Sequence, residues 1–121
     1  MYNEKILNEF KNPHNMGELK DANAVGTVGN AKCGDILQIF LKIEDDIIVD
    51  ASFKTFGCVA AIASSSVATK MIIGKNINEA LNIKNSEVVE ELEGMPPQKI
   101  HCSVLAEEAI KNAIENYKNK N

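Results

Sequence analysis

Residues 37–54 read LQIFLKIEDDIIVDASFK, and the pattern of this stretch decides the fold. In its first part every second residue is aliphatic, which is the period of a β-strand with one buried face. The polar turn Glu44–Asp46 follows. Beyond the turn, Val49, Ala51 and Phe53 alternate with polar residues and are predicted to face the core. The two strands are therefore predicted to form an antiparallel hairpin.

The sequence around the hairpin predicts one more strand and five helices. The last helix is the clearest, because its apolar residues recur every three or four positions. The predicted elements are a helix over Asn3–Phe10, a strand over Val25–Val28, and helices over Val59–Ile73, Ile77–Ile83, Ser86–Leu92 (with Ser86 at a capped N-terminus) and Ala106–Tyr117. We expect an α+β fold, a three-stranded antiparallel sheet with helices packed on it, in a single domain over residues 1–121.

Several polar residues are interpreted as structural. Ser64, Ser65 and Ser66 fall within a helix of small residues and are expected to let it pack close to its neighbours. Lys70 is expected to be a solvated charge, and His14 a residue of a surface turn. None of these five side chains is predicted to take part in chemistry.

Composition argues against several classes of protein. All 13 basic residues are lysine and the net charge is −4, whereas proteins that read nucleic acids usually present arginine-containing basic patches. No apolar run approaches the roughly 18 residues of a membrane-spanning helix, and the N-terminus shows no apolar signal region. We therefore expect a cytoplasmic protein that binds neither nucleic acid nor membranes.

Three cysteines stand at junctions between predicted elements. Cys33 precedes a strand, Cys58 lies where a strand gives way to a helix, and Cys102 lies at the start of the last helix. The N-terminus of a helix favours a thiolate, which is the form that binds metal. Gly34 and Gly57 adjoin two of the cysteines and are expected to allow the tight backbone of a metal loop. The wide spacings exclude a zinc knuckle, which uses close pairs of cysteines.

If the fold brings the three thiolates together, one position of a tetrahedral site remains. Asp35 and His101 are the nearby candidates for it. Both are harder ligands than a thiolate, so a mixed site would hold an iron–sulfur cluster less tightly than four cysteines do. The structural alternatives are that Asp35 is a turn residue and that His101 is an ordinary exposed histidine.

Several motifs, in order, resemble those of the IscU-type iron–sulfur cluster scaffold family, which corresponds to the N-terminal domain of NifU. They are Asn12-Pro13 with Asn15-Met16-Gly17, Cys33-Gly34-Asp35, Phe53-Lys54-Thr55-Phe56-Gly57-Cys58, Ala61-Ile62-Ala63-Ser64-Ser65-Ser66 and Lys99-Ile100-His101-Cys102-Ser103. The resemblance implies a scaffold, not an enzyme, that assembles [2Fe–2S] clusters and transfers them to apo iron–sulfur proteins. It also implies a cluster site at one exposed end of the fold.

The resemblance also implies roles for the candidate residues. Cys33, Cys58 and Cys102 would be the cluster ligands, with Asp35 or His101 in the remaining position. A cysteine desulfurase would deliver sulfur as persulfide to Cys102, with Cys33 as the alternative acceptor. Asp35 would keep the cluster labile, a ferredoxin would serve as reductant, and zinc would occupy the cluster-free site.

The segment Met95-Pro96-Pro97-Gln98-Lys99 resembles the family's recognition motif for an Hsp70-type chaperone and its co-chaperone. An extended, proline-stiffened peptide suits such a groove. The family usually has leucine and valine where Met95 and Gln98 stand. The alternative interpretation is a plain linker between helices.

Two other functions compete with the scaffold. The related SufU type is a zinc-dependent persulfide acceptor, a sulfurtransferase, but it has an extra segment between the second and third cysteines and lacks the histidine before the third. This chain has no such segment and carries His101. The third hypothesis is a structural zinc domain, which would lose its fold on chelation.

Overall fold

A computed structural model describes residues 2–30 and 34–120. The helices are α1 (Glu4–Lys11), α2 (Val59–Ile72), α3 (Ile77–Leu81), α4 (Asn85–Glu91) and α5 (Ile100–Lys120), and the strands are β1 (Ala24–Asn30), β2 (Asp35–Glu44) and β3 (Ile47–Phe56). A 3₁₀ turn over Pro97–Lys99 leads into α5. Within the described ranges, no helix is both long enough and apolar enough to cross a bilayer.

The three strands form one antiparallel sheet in the order β1-β2-β3. Leu37, Ile39 and Leu41 of β2 are fully buried, as their alternation predicts. Helix α5 packs along β1 and β2, while α2 packs beside α5 against β3. The α+β architecture with helices on a three-stranded antiparallel sheet is thus confirmed.

The prediction that Val49 faces the core is wrong. The pairing of β2 with β3 shifts register between Lys42 and Ile43, which opposes Ile43 to Ile48. The shift is a β-bulge, and the extra residue turns the side chains beyond it to the other face. Ile48 is consequently buried, and Val49 is 43% exposed.

The outer edge of β3 is covered by the loop after α1. Met16 bridges to Phe53 in parallel, with the Gly17 amide donating to the Phe53 carbonyl at 2.7 Å and the Phe53 amide donating to the Asn15 carbonyl at 2.9 Å. Asn15 adopts a left-handed φ of 60°, which asparagine tolerates better than most residues. This loop satisfies backbone groups that an open sheet edge would leave unpaired.

The start of α4 differs from the prediction of a Ser86 cap. Lys84 occupies the cap position without a side-chain cap bond, and Ser86 lies inside the first turn. Glu107 of α5 instead accepts a hydrogen bond from the Asn85 amide. The carboxylate of a neighbouring helix therefore satisfies the free amide that a local serine was expected to satisfy.

Glu9 is the buried charge that fixes α1 to α2. Its carboxylate accepts hydrogen bonds from Lys70 Nζ at 2.7 Å and from Ser66 Oγ at 2.6 Å, and it lies 3.4 Å from His14 Nδ1. Lys70 is exposed, as expected of a solvated charge, but its ammonium also pairs with Glu9, which the sequence did not predict. Ser66 also accepts from the His14 amide, so one network ties α1, the following turn and α2 together.

Replacing Glu9 by glutamine is expected to lower the free energy of unfolding by about 1–3 kcal/mol at pH 7, because the hydrogen bonds that Lys70 and Ser66 donate to this buried carboxylate lose their charge assistance. Burial raises the pKa of Glu9, but the hydrogen bonds from Lys70 and Ser66, the Lys70 charge and the His14 contact outweigh it, and the net pKa is lowered from 4.5. Urea denaturation of both proteins from pH 7 to pH 3 measures the difference.

A carboxylate with a lowered pKa stabilises the fold above its unfolded pKa, and this contribution disappears as pH falls through the folded pKa. The difference between wild type and Glu9→Gln should thus be constant down to about pH 5 and then shrink. Glu4→Gln, on the exposed side of α1, is the control and should cost less than about 1 kcal/mol at any pH. A difference that grows on acidification would contradict this account.

Candidate metal centre

Three potential metal ligands come together where separate elements begin. Asp35 is the first residue of β2, Cys58 is the N-cap of α2, and Cys102 lies in the first turn of α5. Their ligand atoms all lie within 4.8 Å of one another. The fold thus brings together residues that are far apart in the sequence.

The Asp35 carboxylate and the Cys58 thiol are in hydrogen-bond contact. The Cys58 thiol donates to Asp35 Oδ2 at 3.4 Å, and the Cys58 amide nitrogen lies 3.5 Å from the same oxygen. Asp35 is 5% exposed and Cys102 is 0% exposed, whereas Cys58 is half-buried. Two sulfurs and one oxygen at this spacing can ligate a thiophilic metal ion from one side.

Two glycines shape the site for different reasons. Gly34 has a φ of 70°, a left-handed conformation that lets the chain turn directly into Asp35. Gly57 does not have a positive φ. The expectation that glycine permits a backbone conformation unfavourable for other residues therefore holds only for Gly34. What Gly57 supplies is room: a Cβ there would lie 2.9 Å from Ala61 Cβ, 3.0 Å from Thr55 Oγ1 and 3.3 Å from Asp35 Cγ.

Replacing Gly57 by alanine is expected to displace the Asp35 carboxylate from Cys58 and to weaken binding of a divalent metal by about tenfold, because ligand orientation is as important as ligand identity. Competition titration with Zn²⁺ and a chromophoric chelator measures this. The control is Gly29→Ala, whose new Cβ would make only ordinary contacts, 3.6 Å from the Asp35 carbonyl oxygen and 3.8 Å from Ile36 Cγ1. Equal affinities for the two variants would contradict this role of Gly57.

The sequence also named Cys33 and His101 as candidate ligands. Cys33 lies outside the described residues, so its place at the site stays a prediction. His101 precedes Cys102 in the first turn of α5 and is half-buried. Its ring is not part of the group formed by Asp35, Cys58 and Cys102, so its part in ligation also stays a prediction.

The Pro-Pro segment is only partly extended. Pro96 has φ −52° and ψ 133°, which is close to polyproline II. Pro97–Lys99 instead form a 3₁₀ turn, with the Lys99 amide donating to the Pro96 carbonyl at 2.8 Å. Met95 packs against the core. A chaperone that binds an extended peptide would have to unwind this turn.

Sequence reasoning missed Tyr2, which lies beside the thiols. Burial raises the pKa of its phenol, the nearby Cys58 and Cys102 raise it further, and Lys99 and the Ala60 amide oppose the change. Tyr2 also packs against the core. No motif marked it, because Cys58 and Cys102 come near Tyr2 only when the chain folds and α1 packs on α2.

Comparison with known proteins identifies the family of this chain. The sequence model of the family described as NifU-like N terminal domain matches residues 1–121. The iron-sulfur cluster assembly scaffold protein IscU 1 of Archaeoglobus fulgidus is 52% identical over 121 residues, covering 100% of this chain and 79% of the relative. The protein of Haemophilus influenzae named iron-sulfur cluster assembly scaffold protein IscU is 53% identical over 123 residues, covering 98% of this chain and 97% of the relative.

Solved structures show the same fold. The crystal structure of the N-terminal part of a NifU-like protein from Brucella abortus has a TM-score of 0.80 at 23% identity, covering 98% of this chain and 95% of that one. At that identity the likeness concerns the fold alone. The match of the family model and the identity to the IscU proteins go further: this chain belongs to the NifU-like N terminal domain family.

Proposed function

We propose that this chain is a scaffold on which iron–sulfur clusters are assembled and from which they pass to other proteins. The observation that carries the proposal is the convergence of Asp35, Cys58 and Cys102 within 4.8 Å. The relatives in Archaeoglobus fulgidus and Haemophilus influenzae are named as scaffold proteins of this kind, which supports it. The cluster is the cargo of such a protein, and the chain acts as a carrier rather than an enzyme.

In this proposal the cargo is a [2Fe–2S] cluster held by Cys33, Cys58 and Cys102. Cys33 precedes Asp35 by two residues in the sequence. The fourth position falls to Asp35 or His101. Thiolates are suitable ligands for the iron of such a cluster, and a single harder ligand among them would let the cluster dissociate more easily. Zinc, which accepts the same donors, is expected to bind when the cluster is absent.

Sulfur is proposed to arrive as persulfide from a cysteine desulfurase, with Cys102 as acceptor and Cys33 as the alternative. A ferredoxin would supply the electrons needed to reduce persulfide sulfur to sulfide. Exposed apolar side chains beside the site offer a surface for such proteins: Ile36 and Phe56 are paired across β2 and β3 and are 51% and 80% exposed.

Release is proposed to involve apo iron–sulfur proteins as recipients and an Hsp70-type chaperone with its co-chaperone. The chaperone would bind Met95, Pro96, Pro97, Gln98 and Lys99 after the 3₁₀ turn unwinds. We place these events in the cytoplasm, with neither nucleic acid nor membranes as partners.

Anaerobic reconstitution tests the proposal. The purified protein is mixed with iron, cysteine, a cysteine desulfurase and a reductant, and the visible spectrum, bound iron and bound sulfide are recorded. We expect charge-transfer absorption that moves to an apo-ferredoxin when the two proteins are mixed. A protein that retains one zinc, accepts sulfur and never colours would be a sulfurtransferase instead, and loss of the fold on chelation would indicate a structural zinc domain.

Replacing Asp35 by alanine is expected to lengthen the half-life of the reconstituted cluster several-fold. The carboxylate brings a charged, hard donor among the thiols, and an apolar side chain in its place would restrict access of water to the cluster. Decay of the visible absorption under a chelator measures the half-life. Asp50→Ala, the same change on an exposed part of β3, is the control. An unchanged or shorter half-life would show that Asp35 does not make the cluster labile.

A further inference from the structure

The side chain of Asn3 joins two helices that are distant in the sequence. Its Oδ1 accepts from the Ile6 amide at 2.8 Å and so caps α1. Its Nδ2 donates to the Leu92 carbonyl at 2.9 Å and to the Glu93 carbonyl at 3.1 Å. One carboxamide therefore satisfies free backbone groups at the start of α1 and at the end of α4.

The carbonyls that Asn3 holds immediately precede the connector between α4 and α5. We call residues 94–99 the connector. Glu93 and Gly94 turn the chain with φ values of 60° and 113°, and the Gly94 amide donates to the Val89 carbonyl at 2.9 Å. The connector ends at the 3₁₀ turn, and Cys102 follows in the first turn of α5. The connector therefore joins the end of α4 to the helical turn that carries Cys102.

The residue next to Asn3 lies against the other end of the connector. Tyr2 packs on the core and lies within electrostatic range of Lys99, Cys58 and Cys102. Asn3 and Tyr2 therefore lie on the sides of the two ends of the connector. Cys102, which follows the connector, is fully buried.

We propose that Asn3 is a positioning residue: by holding the carbonyls of Leu92 and Glu93 it anchors the connector, and it thereby seats Cys102 against Cys58 and controls access to its sulfur. The functional meaning rests on the proposed function, in which Cys102 accepts sulfur. A fully buried thiol cannot meet an incoming persulfide unless the structure around it opens. In this proposal the two hydrogen bonds from Asn3 Nδ2 to the carbonyls of Leu92 and Glu93 oppose such an opening.

Asn3→Asp separates the two roles of the side chain. A carboxylate still accepts from the Ile6 amide and still caps α1, but it cannot donate to the two carbonyls. Asn3→Ser, which also caps but is shorter, provides a second variant should the aspartate unfold the chain. The matched control is Asn23→Asp. Asn23 Oδ1 accepts from the Ile43 amide and Asn23 Nδ2 donates to the Ile43 carbonyl, both at 2.8 Å, away from the connector.

The readout is the rate at which N-ethylmaleimide alkylates Cys102 in the reduced, metal-free protein, resolved by peptide mass spectrometry. Hydrogen exchange of residues 94–103 and of residues 36–44 is followed in parallel. Loss of two hydrogen bonds should raise the alkylation rate about tenfold in Asn3→Asp and speed exchange in 94–103 alone. Asn23→Asp should stay within about twofold of wild type.

An alkylation rate unchanged in both Asn3 variants would overturn the proposal. Faster exchange in 36–44 to the same degree as in 94–103 would also overturn it, since it would show general destabilisation. Both measurements use metal-free protein, so they decide the role of Asn3 even if reconstitution fails. Failure of wild type to bind iron or zinc would count against the proposed function alone.

Discussion

Replacement of Cys102 by serine is expected to reduce the affinity of the metal-free protein for Zn²⁺ or Fe²⁺ by at least about 100-fold, because loss of an outer-shell partner alone can cost 10–100-fold. Cys102 is one of two described thiols whose sulfurs lie within 4.8 Å of Asp35. A hydroxyl is a much poorer ligand than a thiolate for these metals. Anaerobic competition titration against a chromophoric chelator measures the affinity.

The serine variant should fold, because a buried serine is already accommodated in the same turn. Ser103 is fully buried and donates to the Ile100 carbonyl at 3.0 Å. Ser103→Ala is the matched control, since it loosens the start of α5 without removing a ligand. If both variants lost affinity equally, the effect would be one of helix packing and not of ligation.

The same variant tests sulfur acceptance. Cys102→Ser is expected to abolish persulfide transfer from a cysteine desulfurase, measured by mass spectrometry of the trapped persulfide. Full transfer to this variant would move the acceptor role to Cys33 or Cys58. Ser103→Ala should accept sulfur at the wild-type level.

Local patterns predicted the elements well because each depends on neighbours in sequence. The alternation from Leu37 to Ile43 and the apolar stripe of the last helix both correspond to buried faces. Val49 was assigned to the wrong face because a bulge inserts one residue, and no local pattern marks such a shift. The ion pair of Lys70 was not predicted, because its partner Glu9 comes from a different helix.

The candidate site was predictable through its motifs but not through its spacing. Cys58 and Cys102 are separated by a helix-rich stretch, so only the packing of α2 and α5 on the sheet brings them together. The order and context of the motifs indicated the family, and the resemblance to that family implied that the candidate ligands lie close together. The roles of Tyr2 and Asn3 could not be predicted from the sequence, because both residues interact with residues that are far from them along the chain.

Gly26→Ala is expected to cost about 3 kcal/mol of unfolding free energy or more, which is the upper range for overpacking a core. A Cβ at this position would lie 2.5 Å from the Ala109 carbonyl oxygen and 2.5 Å from the Ala113 nitrogen. Both atoms belong to the backbone of α5, so no side chain can rotate away and the helix itself must move. Urea denaturation measures the loss, provided that the unfolding free energy falls with urea concentration at the same slope (the m-value) in both proteins.

Gly29→Ala is the control, because it makes the same change in the same strand with only ordinary contacts. It should stay within about 1 kcal/mol of wild type. Since α5 carries Cys102, a helix displaced by Gly26→Ala should also bind Zn²⁺ more weakly. A Gly26→Ala protein with wild-type stability and unchanged zinc affinity would contradict this account. It would show that α5 can move away from β1 at little cost in unfolding free energy and without disturbing the metal centre.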